Sequence, residues 1–241
     1  MLRALAGEPH ENDLYLSGDS RQRIYNSRTS LSQCGIVINN RSKNLKLNYR
    51  TTAEIYDFAL KLQEKYSYDD MNGRSIDKVK NDCIFRGSKP FIRKYETEQE
   101  EVEAIIRDIR QKIQHGAREQ DICIMLRSRK GTKRYYNMLR DKGLAALMCT
   151  NHQDDNQDLP GVRVMTMHRS KGMEYTYVYL PCLTYETIPS VKDLEKANEE
   201  GNEQELIVKE SNILSVAITR AKRFAWLSYF GKPSRLLSTW E

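Results

Sequence analysis

The chain has 241 residues, 39% of them hydrophobic and 9% aromatic, which is enough apolar material for a core and too much for a disordered polymer. Lys+Arg 39 against Asp+Glu 33 leave a formal charge of +6 and a pI near 9.0, a lean toward polyanionic partners that is well short of a histone-like excess. No apolar run approaches the ~20 residues of a membrane span. Met1–Glu8 turns polar too early for a signal peptide. The five scattered cysteines, Cys34, Cys83, Cys123, Cys149 and Cys182, include no C-x-x-C pair, so the expectation is a reducing cytoplasm without zinc or disulfide framework.

In chain order, Leu14–Ser17 reads as a short strand running into the Gly18-Asp19 turn. Leu47–Thr52 reads as a strand end feeding a helix, with Thr51-Thr52-Ala53-Glu54 as its capping box. Residues 66–90 form a long polar loop or small excursion. Phe91–Tyr95 is a strand, and Thr97-Glu98-Gln99-Glu100 caps a helix in which Val102, Ile105, Ile106, Ile109 and Ile113 make one apolar stripe. Ile122–Leu126, Val162–Thr166, Tyr177–Leu180 and Phe224–Ser228 are further strands, some apolar nearly throughout, as strands covered on both faces are. Thr150–Pro160 is a polar connection. Asp193–Glu205 carries six acids in thirteen residues, a solvated helix or flexible insertion. Strands separated by helices need crossover connections, which predicts an α/β domain with a mainly parallel sheet.

Four segments carry the polar chemistry. They are the turn from Gly18-Asp19 to Gln22 and Tyr25; Asn48-Tyr49-Arg50; Thr166-Met167-His168-Arg169-Ser170-Lys171-Gly172-Met173-Glu174; and Val216-Ala217-Ile218-Thr219-Arg220-Ala221-Lys222. In three of the four, polar or charged residues cluster at a strand's C-terminal edge or a helix's start, where open α/β sheets bind ligands. Arginine and lysine there, with backbone amides and hydroxyls, suit phosphate oxygens. A ring beside a guanidinium, as at Tyr49-Arg50, suits a base next to a phosphate. Composition and spacing stop at a phosphate-binding α/β domain whose ligand is a nucleotide or a nucleic acid.

Taken together and in order, these segments resemble helicase motifs III to VI of the superfamily-1 UvrD/Rep-like DNA helicases. Gly18-Asp19-x-x-Gln22-x-Ile24-Tyr25 is similar to motif III and Asn48-Tyr49-Arg50 to motif IV. Thr166-x-His168-x-Ser170-Lys171-Gly172-Met173-Glu174-Tyr175 is similar to motif V, and Val216-Ala217-x-Thr219-Arg220-Ala221-Lys222 to motif VI. Asp121–Arg127 resembles the strand that the family carries between motifs IV and V. The resemblance implies a three-layer, RecA-like fold of the P-loop NTPase type. It assigns Arg220 (as an arginine finger) and Arg50 to the γ-phosphate, with Gln22 sensing that phosphate. It assigns Tyr49 to the adenine, Glu174 to the ribose and Gly172 to close backbone approach. Thr166, His168 and Ser170 would lie along strand phosphates, and Tyr25 and Arg28 near the bases or backbone of single-stranded DNA. Where motif III commonly continues with an aromatic residue, this chain has Ser27.

No G-x-x-x-x-G-K-[ST] occurs, so the chain lacks its own Walker A. The resemblance then implies a C-terminal piece, with residues 1–35 as the tail of a first RecA-like domain and 36–241 as the second. ATP with Mg²⁺ is the expected cofactor, the Mg²⁺ ligands lying in the upstream domain of the same polypeptide. That domain and single-stranded DNA are the expected partners, with no membrane. The chain alone is expected to be inactive as an ATP hydrolase. The alternative is a module that keeps the helicase fold and binds nucleic acid or a protein without unwinding.

Overall fold

A computed structural model describes residues 2–8, 10, 13–22, 24, 31–36, 38, 41–43, 45, 47–66, 82–150 and 158–240. After a short helix, α1 (Leu2–Ala6), come β1 (Leu47–Thr52), α2 (Ala53–Leu60), β2 (Asp82–Phe85), β3 (Phe91–Tyr95), α3 (Glu98–Gln114), β4 (Ile122–Leu126) and α4 (Arg129–Asp141). Then follow β5 (Ala146–Met148), β6 (Val162–Thr166), β7 (Tyr175–Leu180), α5 (Val191–Glu199), α6 (Glu203–Ile218) and β8 (Ala221–Phe230). Six strands form one sheet in the order β3-β8-β7-β4-β6-β5, and every neighbouring pair is parallel.

Alternation along the central strands builds the layers. On β4, Ile122, Ile124 and Leu126 pack with Val102, Ile105, Ile106 and Ile109 of α3 and with Tyr135 and Leu139 of α4. Cys123 and Met125 point the other way, into a cluster with Ile55 and Ala59 of α2 and Ile213, Leu214 and Ala217 of α6. The result is helix, sheet, helix, the expected three-layer α/β architecture. The apolar stripe of α3 is the face that is buried.

β1 and β2 make a separate two-stranded parallel sheet. It is tied to the main sheet by the Thr51 hydroxyl, which donates to the Ala221 carbonyl at 2.5 Å. Near the C-terminus Trp240 stacks on Phe58 at 4.3 Å and donates from Nε1 to the Phe58 carbonyl at 3.1 Å, which pins α2 and hence β1 in place. Ile24 is 1% exposed and lies in the α2/α6 cluster, so the segment carrying Asp19 and Gln22 is seated on this domain's own core.

Several local expectations are corrected. Leu14–Ser17 is not a strand: Tyr15 is 95% exposed, and among the described residues no partner strand gives the backbone a ladder to join. The cap of α2 is Thr52, whose side chain accepts from the Ile55 amide, one residue later than expected, because Thr51 is drawn to Ala221. At α3, Thr97 accepts from the Glu100 amide, and Glu100 reaches back to the amide of Glu96. The stretch 66–90 contains β2. The acidic stretch becomes α5 and the first turn of α6, with Ser190 capping α5. Most of the Thr150–Pro160 connection lies outside the described residues.

Candidate functional site

Chain order explains which sheet edge each group reaches. Glu174 immediately precedes β7 and Arg220 immediately precedes β8, and those strands are parallel neighbours. Both side chains therefore start at the N-terminal edge of the sheet. The sequence reading favoured C-terminal edges, and for Glu174 the structure reverses it, because the turn after Thr166 crosses the sheet before β7 begins.

At that edge Arg50 Nε lies 3.2 Å from Glu174 Oε2, and Lys222 Nζ lies 2.8 Å from Glu174 Oε1. One carboxylate is shared by two cations. The hydrogen bond from Lys222, and then the charges of Lys222 and Arg50, hold the Glu174 carboxyl below its ordinary value. Tyr49, beside Arg50 on β1, is 72% exposed. These residues line a cleft of about 590 Å³ that also includes Phe85 and Arg86.

Arg220 stands at the back of this group and is 1% exposed. Its Nε donates to the Val216 carbonyl at 3.0 Å and its Nη1 to the Met173 carbonyl at 3.3 Å. Burial, and then the positive charge of Arg50, bring its pKa down to about 10, against the opposing pull of Glu174 and Asp19. It stays charged at neutral pH and is the kind of guanidinium an added negative group would stabilise. Asp19 also accepts from Gln22 Nε2 at 2.9 Å, and the Gln22 carbonyl accepts from Lys171 Nζ at 3.1 Å. Gln22 is thus joined both to Asp19 and to the turn that leads to Glu174. Gly172, in that turn, has φ +89, and a Cβ there would meet no neighbouring atom. The requirement for glycine is conformational.

The opposite, C-terminal edge holds a second group. Thr166 ends β6, and its Oγ1 accepts from the Arg169 amide at 3.3 Å. His168 is half-buried; burial, and then the charge of Arg127, lower its pKa, with Glu210 pulling it back up. Arg127, just after β4, grips Glu210 of α6 with Nε at 2.6 Å and Nη2 at 2.5 Å. Glu210 is wholly buried. Ser170 is also wholly buried, and its hydroxyl donates to the Met167 carbonyl at 2.7 Å, so it shapes the turn from inside. Tyr25 and Arg28 lie outside the described residues. Among the described residues no group of three or more His, Cys, Asp or Glu is placed to hold a metal ion. No described helix is long and apolar enough to cross a membrane.

Sequence reasoning missed the Arg127–Glu210 pair, whose members are 83 residues apart, and the role of Thr51. A charged residue closing an apolar strand, at Arg127, was the available signal for the first. Phe85 stood in a stretch read as polar loop.

A parallel, three-layer sheet with polar groups at both edges makes this chain an α/β domain of the doubly wound kind. A family model described as the UvrD-like helicase C-terminal domain matches residues 43–153 and 144–232. That is most of the chain, which therefore belongs to this family. The chain is 41% identical over 76 residues to YjcD of Bacillus subtilis strain 168, named as a presumed ATP-dependent DNA helicase; the match covers 32% of this chain and 10% of that protein. It is 35% identical over 68 residues to DNA helicase II of Rickettsia typhi, covering 28% of this chain and 10% of that one. The chain thus aligns with about a tenth of the length of these curated relatives. Among solved structures, it resembles the C-terminal domain of "a possible DNA helicase" from Lactobacillus plantarum WCFS1, with TM-score 0.53 and 18% identity over 80% of this chain and 93% of that one. That similarity concerns the fold.

Proposed function

We propose that the chain supplies one face of the ATP site, and part of the single-stranded DNA track, in an ATP-dependent DNA helicase or translocase. The observation that carries this reading is the meeting at one sheet edge of Tyr49, Arg50, Glu174 and Arg220, the first and last of them 171 residues apart in the chain. The chemistry fits a nucleotide: an exposed ring for the base, a carboxylate for ribose hydroxyls and guanidinium groups for phosphates. Arg220 would act as an arginine finger with Arg50 beside it. Because it is nearly sealed, a phosphate reaches it only after the side chain turns out from the Val216 and Met173 carbonyls. Gln22 would report phosphate occupancy through the Lys171 turn. Thr166 and His168, at the other edge, would face the DNA strand, while Ser170 holds the turn they stand on; Tyr25 and Arg28 would contact the bases or backbone of the same strand.

The other half of the site would come from a first RecA-like domain of the same polypeptide, carrying the phosphate loop and the ligands of the Mg²⁺ that accompanies ATP. Alone, the chain would not hydrolyse ATP. The DNA-helicase relatives and the cysteines, which form no disulfide with one another, support a cytoplasmic setting.

The test is ATP hydrolysis by the product of the complete reading frame, with and without single-stranded DNA, beside Arg220→Ala. Arginine fingers in other phosphoryl-transfer systems contribute about 10³–10⁵ in rate, so DNA-stimulated turnover is expected to collapse in the variant. A folded wild type with no turnover, or turnover indifferent to the substitution, overturns the motor reading in favour of a binding module.

A further inference from the structure

We propose that Phe85 is a second base-contacting residue, so that a nucleobase entering the cleft is held between two aromatic rings, Tyr49 and Phe85. This rests on the nucleotide reading above and names the group that would complete the base subsite.

The argument begins with where the two rings stand. Tyr49 is on β1 and Phe85 ends β2, where it pairs with Thr52, three residues on from Tyr49, across a shift in register; both residues line the same cleft of about 590 Å³. That volume lies within the ~300–1,000 Å³ of small-molecule sites. Tyr49 is 72% exposed and Phe85 52%. Large rings turned to water in a concave site offer flat apolar surface that a base can cover. The rest of the lining supplies complementary charge: Arg50, Arg86 and Lys222 against Glu174. Flat rings with a cationic surplus suit a nucleotide better than a purely apolar or a purely anionic ligand.

The second observation is that the turn following Phe85 is held in place. The turn that follows it is seated on the start of α2. The Gly87 amide donates to Glu54 Oε2 at 2.7 Å, and Arg86 lies 3.6 Å from Glu54 Oε1. A Cβ on Gly87 would come within 2.8 Å of Thr52 Cγ2, so the turn fits against Thr52 only because residue 87 has no side chain. Thr52 and Glu54 follow Tyr49 and Arg50 within a few residues. The same short stretch of chain thus fixes the backbone at both positions, and a site whose backbone is preformed loses less entropy on binding than one that must assemble.

The experiment measures dissociation constants for ATP and for tripolyphosphate, by calorimetric titration of the complete protein, in the wild type, Tyr49→Ala, Phe85→Ala, Phe85→Leu and Phe85→Trp. Base–aromatic stacking corresponds to about 5- to 150-fold in affinity. Phe85→Ala is therefore expected to weaken ATP by an amount in that range and leave tripolyphosphate unchanged. Phe85→Leu, which preserves apolar packing beside the turn, is expected to behave as Phe85→Ala does. Phe85→Trp is expected to restore ATP binding. If Tyr49→Ala weakens ATP while Phe85→Ala and Phe85→Leu do not, this inference fails and the nucleotide reading stands. Equal weakening of ATP and tripolyphosphate overturns it too, since that marks a general distortion of the cleft. A folded wild type that binds neither ligand overturns the nucleotide reading and this inference with it.

Discussion

The two edges of the main sheet each carry an arginine–glutamate pair, and the pairs are built differently. At the C-terminal edge Arg127 meets Glu210 through two short contacts, and the carboxylate is sealed from solvent. At the N-terminal edge Arg50 meets Glu174 through one contact at 3.2 Å, with both side chains more than two-fifths exposed and the carboxylate shared with Lys222. A bidentate pair whose carboxylate is sealed leaves that carboxylate no water to replace its partner, and it acts as a structural fastener. A wet, singly bonded pair can exchange partners with a ligand at little cost. The same two residue types thus fasten the fold at one edge and stand available at the other.

The largest effect expected from breaking this contrast is at Glu210. Glu210→Ala leaves the Arg127 guanidinium, itself 22% exposed, without its partner, and about 1–3 kcal/mol of stability should be lost. Chemical denaturation of the complete protein measures this, and a loss below about 1 kcal/mol would remove the distinction between the pairs. At the other edge, Arg50→Ala should cost only about 0–1 kcal/mol in the same measurement. A cost matching that of Glu210→Ala would show that the exposed pair is structural after all.

The smallest effect sharpens the comparison through pH. His168 sits beside Arg127 and Glu210, and Lys209 also acts on it. Its folded pKa is lowered, chiefly by burial. A lowered pKa means that the unfolded chain takes up the proton first. The stabilisation is whole above the unfolded value, near 6.5, and drains away as pH falls from there through the lowered folded value. The wild type should therefore lose more stability than His168→Gln across that window. Parallel pH dependences of the two melting curves would contradict the assignment.

Much of the layered fold could be read from local pattern. β4 is apolar at every position because it is covered on both faces, and the α3 stripe repeats at helical spacing because a single face is buried. β2 was hidden because Asp82-Cys83-Ile84-Phe85 is short and surrounded by polar residues, and its pairing with β1 is a tertiary fact. Leu14–Ser17 misled for the converse reason: its residues suit a strand, but among the described residues no neighbour supplies a ladder. At the site, Tyr49, Arg50, Glu174 and Arg220 stood out as chemistry in the sequence, yet their shared edge did not. It depends on the turn after Thr166 crossing the sheet and on α6 returning to it. Glu210 and Arg127 could be paired only by the fold, since neither carries a local sign of the other.

One hydrogen bond has a mechanical consequence. The Thr51 hydroxyl and the Ala221 carbonyl join the strand bearing Tyr49 and Arg50 to the residue that follows Arg220. The contact is buried, and breaking it would strand both polar groups away from water. The strand that carries the ring and the backbone that carries the guanidinium are thereby clamped at one point, and the span between them is set by the main chain rather than by either side chain.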